Sequence, residues 1–174
     1  QEYISAPNHA TTSGTVVKIA EHALPNPSGA KSICIVIETD GKENGLDDKA
    51  VIDDYYNISP IEIQQKVLAS GIVGLGGAGF PSAVKLIPGL SLDIELLILN
   101  AAECEPYISC DETLIRHRVK DVITGLEILA HALQVDDCVI AIEENKVEAI
   151  EILQRALKQY ATIEIKLMLI SNLY

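Results

Sequence analysis

"IELLILNAAECEPYISCDETLI", residues 94–115, decides the fold. Ile94 to Leu99 is a short, mostly branched aliphatic run and reads as a buried strand. A polar turn, Asn100 to Glu112, separates it from a helical stripe. Ile115, Val119, Val122, Leu126, Leu129 and Leu133 recur at intervals of four and three along Asp111 to Gln134, which predicts one long helix with a single apolar face. The chain then supplies a strand at Cys138 to Ile142, a helix opened by Asn145 with Glu148 and running through Tyr160, and a closing strand at Ile163 to Ile170. Strand, helix, strand, helix, strand predicts a parallel sheet with right-handed crossovers.

Working outward, Ser59-Pro60-Ile61-Glu62 combines a capping serine, a proline at the first helical position and a glutamate three residues after the cap, so a helix starts there and ends near Gly71. "GIVGLGGAGFPSAVKL", residues 71–86, follows and holds five of the 11 glycines. Pro81 to Ile87 is predicted as a short helix. Nearer the N-terminus, Thr15 to Ile19 and Ile33 to Glu38 read as strands around a turn at Pro25 to Gly29. The expected organisation is a small β module over residues 1–45, an Asp-rich linker over 46–57 and an α/β domain over 58–174.

Composition limits the function classes. The 174 residues carry a net charge of −12 and are 48% hydrophobic, enough for a real core, and basic residues are not interleaved with aromatics, so nucleic acid is not an expected partner. No stretch approaches the roughly 20 apolar residues that cross a bilayer, so direct membrane insertion is not expected. Cys34, Cys104, Cys110 and Cys138 form no C-x-x-C pair, and neither a disulfide framework nor a metal site is expected. The chain begins with Gln1 and shows no leader pattern, and reads as an excised piece of a cytoplasmic protein.

Ligands of open parallel sheets gather at the carboxyl ends of the strands. There the sequence places Asn100, Glu103 and Glu105, an amide able to bond a heterocycle edge and two carboxylates able to bond ribose hydroxyls. Ser109 with Glu112 reads as a capping box for the next helix, and the ordinary alternative for the two acids is a solvated loop. The glycine loop matches neither the dinucleotide fingerprint nor the Walker motif. It offers backbone N–H groups between Gly74 and Gly79, a stacking ring in Phe80 and a cation in Lys85. Its ordinary alternative is a tight turn with Phe80 as a core anchor. Gly74–Gly79 and Asn100–Glu105 are expected to meet at one rim.

"GLGGAGFPSAVKL" followed by "LILNAAECEPYISCDE" resembles the C subunit of the Rnf electron transport complex and, more distantly, the flavin-bearing, NADH-oxidising subunit of respiratory complex I. "HATTSGTVVKIAEHALPNPSGAKSICIVIETDG" resembles that family's barrel-sandwich segment, which is similar to lipoyl-type domains. The resemblance implies a Rossmann-like domain in which FMN and NAD(H) share one site, with hydride passing between nicotinamide and flavin and single electrons leaving to 4Fe-4S clusters. It implies that Gly74, Gly76, Gly77 and Gly79 wall the cofactors, that Phe80 stacks on adenine, that Lys85 and Asn100 hold FMN, and that Glu103 and Glu105 face the flavin and the nucleotide ribose. No residue is assigned to proton chemistry.

Leu75 and Ala102 stand where the complex I pattern has an arginine and an acid. The cluster cysteines belong to the parent protein and not to this stretch, so weak or no activity is expected of it alone. The implied partners are other subunits of a membrane-bound complex, held peripherally on the cytoplasmic side of the bacterial inner membrane. A cobalamin-reductase relative of microcompartments and a non-catalytic docking scaffold are the alternatives.

Overall fold

The computed structural model describes residues 4–45, 54–75, 78–87, 92–103, 105 and 107–171. Contacts divide the chain into two units, Asn8–Asp53 and Gln1–Pro7 with Asp54–Tyr174. In the first unit, β1 (Gly14–Ala23) pairs antiparallel with β2 (Lys31–Thr39), with Ile19 opposite Ile35 and an irregularity between Val16 and Lys18. Leu24 N–H donates to Ala30 O at 2.8 Å and closes the turn predicted at Pro25 to Gly29. Gly14 has φ +157°, and a Cβ there would stand 2.1 Å from Glu38 O, so only glycine lets the two strands approach at this end. Ile19, Ile33 and Ile35 lie on one face of this ribbon and are exposed.

The second unit begins with a 3-10 turn at Tyr55–Asn57 and then α1 (Pro60–Ala69), whose capping box forms as the sequence predicts, Glu62 N–H donating to Ser59 Oγ and Ser59 N–H to Glu62 Oε2. α2 (Ser82–Leu86) packs on α1. β3 (Leu97–Ala101), α3 (Cys110–Leu133), β4 (Cys138–Glu143), α4 (Val147–Tyr160) and β5 (Ile165–Ile170) follow. The sheet order is β3-β4-β5, parallel throughout, with Leu97 opposite Cys138 and Cys138 opposite Ile165. This is the predicted α/β alternation.

All six residues of β4 are buried. Cys138, Ile140 and Ile142 pack with Ile115, Leu126 and Ala130 of α3 and Ala149, Ile150 and Leu153 of α4. Burying one such aliphatic side chain is worth about 1.5–3 kcal/mol. A second cluster joins Ile63, Leu86, Ala132, Leu133 and Val135, and ties α1 and α2 to the end of α3.

Several elements depart from the sequence reading. The strand expected at Ile94 to Leu99 is Leu97–Ala101, and it is not buried on both sides, because it forms the edge of a three-stranded sheet and leaves Ile98 half-exposed. Ile94 packs against the α1–α2 cluster instead. The last strand begins at Ile165 rather than Ile163. In α3, Arg118 departs from helical geometry at φ −134°, and Ile123 rather than Val122 is fully buried; Ile123 stands eight residues after the buried Ile115, on the same helix face. The helix after β4 starts at Val147, with Lys146 at the cap and no side-chain cap bond from Asn145.

Glu127 holds the unit together away from the sheet's carboxyl rim. Its carboxylate is buried and accepts Tyr55 Oη–H at 2.9 Å, Thr162 N–H at 2.6 Å and Thr162 Oγ–H at 2.9 Å, joining the 3-10 turn, α3 and the approach to β5. Burial first, then hydrogen bonds with Tyr56 and Glu127, push the Tyr55 phenol well above its ordinary range and keep it a donor. Glu127→Ala should cost about 2–4 kcal/mol, because donors buried around a charged acceptor lose it together. Thermal unfolding of the full-length protein, compared with that of Glu127→Gln, measures this cost, and the glutamine should recover part of it.

Candidate functional site

Parallel pairing sends β3, β4 and β5 out of the sheet at the same rim, and the β3–α3 loop lies there. Asn100 is exposed, and its Oδ1 accepts Ala102 N–H at 3.0 Å, which leaves the amide NH2 as the donor available to a ligand. Glu103 is buried. Its carboxylate accepts Asp111 N–H at 2.8 Å and Glu112 N–H at 3.5 Å, and Lys146 Nζ lies 3.4 Å away. The first turn of α3 is therefore capped by a carboxylate eight residues before Asp111, and the capping box expected from Ser109 with Glu112 does not form. Ser109 makes no side-chain cap bond, while the Glu112 carboxylate turns to Lys146 at 2.9 Å.

Burial alone would raise the Glu103 carboxyl, but the N–H groups of Asp111 and Glu112, the Cys110 thiol and the Lys146 ammonium outweigh it and hold it below the ordinary glutamate value of 4.5. The same contact pushes the Cys110 thiol up, through its hydrogen bond to Glu103 and then desolvation. Glu103, Cys110 and Asp111 bring ligand atoms within 4.8 Å of one another. A raised thiol and a carboxylate already occupied by donors are poor metal ligands.

Lys146 is the residue that sequence reasoning missed. It caps α4, where a cation opposes the helix dipole, and that unfavourable position is the signal that a tertiary partner awaits it. Its hydrogen bond to Glu112 leads the causes that raise its pKa, with desolvation opposing and the Glu103 bond adding. Arg116 extends the network to Glu148 at 3.0 Å. Glu105 is exposed, and its carbonyl accepts Ile108 N–H at 3.3 Å. Tyr107, two residues on, is fully exposed with φ +67°.

The glycine loop is pinched at its neck. Gly74 N–H donates to Phe80 O at 2.8 Å, Ser82 N–H donates to Ile72 O at 2.9 Å, and Val73 bridges Pro81. Gly79 has φ +62°, the left-handed region that favours glycine. Leu75 stands almost wholly in solvent, and Phe80 is exposed rather than a core anchor. Lys85 Nζ lies 5.9 Å from the Phe80 ring centre and would lie 3.5 Å from a Cβ on Gly74. The structure thus brings Gly74, Gly79, Phe80 and Lys85 into one cluster, and Asn100, Glu103 and Glu105 into another. No hydrogen bond among the described residues ties Asn100 or Glu103 to the glycine loop, and Gly76 and Gly77 lie outside the described residues. A cation against glycine backbone, an aromatic face and an exposed amide suit the phosphate and ring of a flavin nucleotide.

A family profile described as the Nuo51 FMN-binding domain matches residues 67–174, and one described as the RnfC barrel sandwich hybrid domain matches residues 1–42. The chain is 43% identical over 164 residues to the C subunit of the ion-translocating oxidoreductase complex of Serratia proteamaculans, covering 94% of this chain and 23% of that protein. To its counterpart in Pasteurella multocida it is 40% identical over 162 residues, covering 93% and 19%. It spans about a quarter or less of the length of these curated relatives. Among solved structures, an NAD+-reducing NiFe hydrogenase in the H2-reduced state aligns with a TM-score of 0.61 at 24% identity, covering 67% of this chain and 22% of that one. The air-oxidised state gives 0.57 at 25%, covering 65% and 20%.

The Glu103 cluster sets a pH expectation. A carboxyl whose folded pKa is depressed contributes stability above its unfolded value, and that contribution is lost as pH falls through the folded value. Glu103→Gln should cost about 1–3 kcal/mol at pH 7, and the difference from the unmodified protein should shrink as pH drops through 4.5 and below. Lys146→Met should produce a loss of the same sign at pH 7. Melting temperatures of the full-length protein across pH 3.5 to 8 test both.

Proposed function

The chain belongs to the Nuo51 FMN-binding domain family through residues 67–174, with an RnfC barrel sandwich hybrid segment ahead of it, and we propose that it is the FMN-binding front of a subunit exchanging electrons with NAD(H). The observation that carries the reading is that family match together with the rim: an exposed amide and an exposed carboxylate after a parallel strand, and a glycine loop holding a cation against its backbone. FMN, when bound, supplies the hydride and single-electron chemistry.

The residues supply placement. In this reading Lys85 neutralises phosphate, and the glycine loop from Gly74 to Gly79 walls the ligand. Phe80 gives a stacking face for adenine, with Lys85 beside it. The Asn100 amide donates to the flavin edge. Glu105 accepts from nucleotide ribose hydroxyls. Glu103, inferred from the family resemblance to face the cofactors, has its carboxylate occupied by α3 and Lys146, so its contribution is to fix the loop that carries Asn100 and Glu105. The meeting of the glycine loop with that loop at one rim is part of the proposal.

For the whole protein we propose an oxidoreductase subunit of an ion-translocating complex, with 4Fe-4S clusters outside this chain receiving the electrons. Its attachment would be peripheral, through partner subunits on the cytoplasmic side of the membrane. Among the described residues no helix is long and apolar enough to cross a membrane.

Flavin fluorescence quenching in the full-length protein tests the assignment. Lys85→Ala and Asn100→Ala should each weaken FMN binding on the order of tenfold, and Glu105→Gln should weaken NADH more than FMN by up to about a hundredfold. FMN affinity unchanged in both alanine variants, with normal melting, would remove these residues from the site.

A further inference from the structure

Four amide or carboxylate side chains are buried among the described residues, and three of them make side-chain hydrogen bonds. Gln64 donates to Leu86 O at 2.9 Å, Glu103 accepts from the start of α3 and from Lys146, and Glu127 accepts from Tyr55 and Thr162. The fourth is Glu143, 4% exposed. No hydrogen bond or ion pair from a described residue reaches its carboxylate, although its main chain is satisfied, Lys146 N–H donating to Glu143 O at 3.1 Å. Buried carboxylates without partners are costly, so native structures rarely keep one without a use. No fully enclosed side-chain nitrogen or oxygen lacks a partner among the described residues, so the Glu143 oxygens retain their contact with solvent at the end of the strand.

Its place in the fold gives the solvent-facing end a meaning. Glu143 is the last residue of β4, the central strand, and thus lies at the carboxyl rim, where ligands of parallel sheets bind. Asn100 pairs with Ala141, and Glu143 lies two residues further on, so Asn100 and Glu143 share one face of the sheet. That face is opposite to Ile140 and Ile142, which pack against α3 and α4. An amide with a donor to give and a carboxylate with acceptors unfilled therefore stand on one face of two neighbouring strands.

We propose that Glu143 is a flavin-binding residue, its carboxylate accepting from the N–H and O–H donors of the flavin, the imide or the ribityl hydroxyls. The proposal rests on the FMN reading above. A carboxylate repels phosphate, so the donor-bearing part of the ligand lies at this end, and the phosphate lies with Lys85. Glu143 stands apart from the Glu103 clasp in this respect, because Glu103 has no acceptor to spare.

The test uses Glu143→Leu and Glu143→Gln in the full-length protein, with FMN and NADH titrated separately and melting followed in parallel. Glu143→Leu should melt as high as the unmodified protein or higher, since it removes an unpaired buried carboxylate, and should still bind FMN at least tenfold more weakly. Glu143→Gln should bind FMN about tenfold more weakly, keeping size but losing the charged acceptor. FMN affinity unchanged in both variants overturns the assignment and leaves the flavin reading standing. A loss confined to NADH also overturns it, as does a loss that appears only where folding is lost in both variants. An unmodified protein that takes up no flavin overturns the flavin reading and this assignment together.

Discussion

β4 is paired on both sides with strands running in its own direction, and the rest of the larger unit follows from that constraint. Parallel neighbours cannot be joined by a tight turn, so each connection has to cross the sheet through a helix, and α3 and α4 are those crossings. Both helices bury their apolar faces on Cys138, Ile140 and Ile142. The same pairing brings all three strand ends out at one rim. Asn100, Glu103, Glu143 and Lys146 all lie at that rim although Asn100 and Lys146 are 46 positions apart.

At that rim, electrostatics sorts chemically identical groups into different tasks. Glu103 is drawn inward by two backbone N–H groups and an ammonium, and serves as the cap that α3 lacks from its own neighbours. Helix N-termini attract anions, and a buried carboxylate held by a cation meets that need more firmly than a solvated serine would. Glu112 is drawn to the same lysine. With Glu103 and Glu112 committed to structure, the exposed Asn100 amide and the Glu143 carboxylate are the rim groups on which the proposed flavin contacts rest. In a chain of net charge −12, a binding surface for a phosphate-bearing nucleotide also needs local cations, and Lys85 beside the glycine backbone is one.

The alternation of strands and helices was legible because periodicity and caps are local. Ser59 and Glu62 lie within one helical turn of each other, so their capping box could be read directly and is found as read. The apolar run Cys138 to Ile142 reads as a strand, and β4 spans it with every residue buried. The edges of elements were less legible. β3 starts at Leu97 because its backbone registers with Cys138, a partner 41 positions away, and Ile94, equally aliphatic, is taken by another cluster.

The sequence by itself determined the fold class and, through the two motifs, the family. It could not allot roles among Glu103, Glu112 and Glu143, because a carboxylate carries the same letter whether it caps a helix, pairs with a cation or stands unpaired. Only the tertiary structure decided that, by bringing Lys146 to two of them and leaving a third buried at a strand end without a partner among the described residues. The physical reason is that a carboxylate's role is set by the donors that reach it, and those donors come from elements far away in sequence.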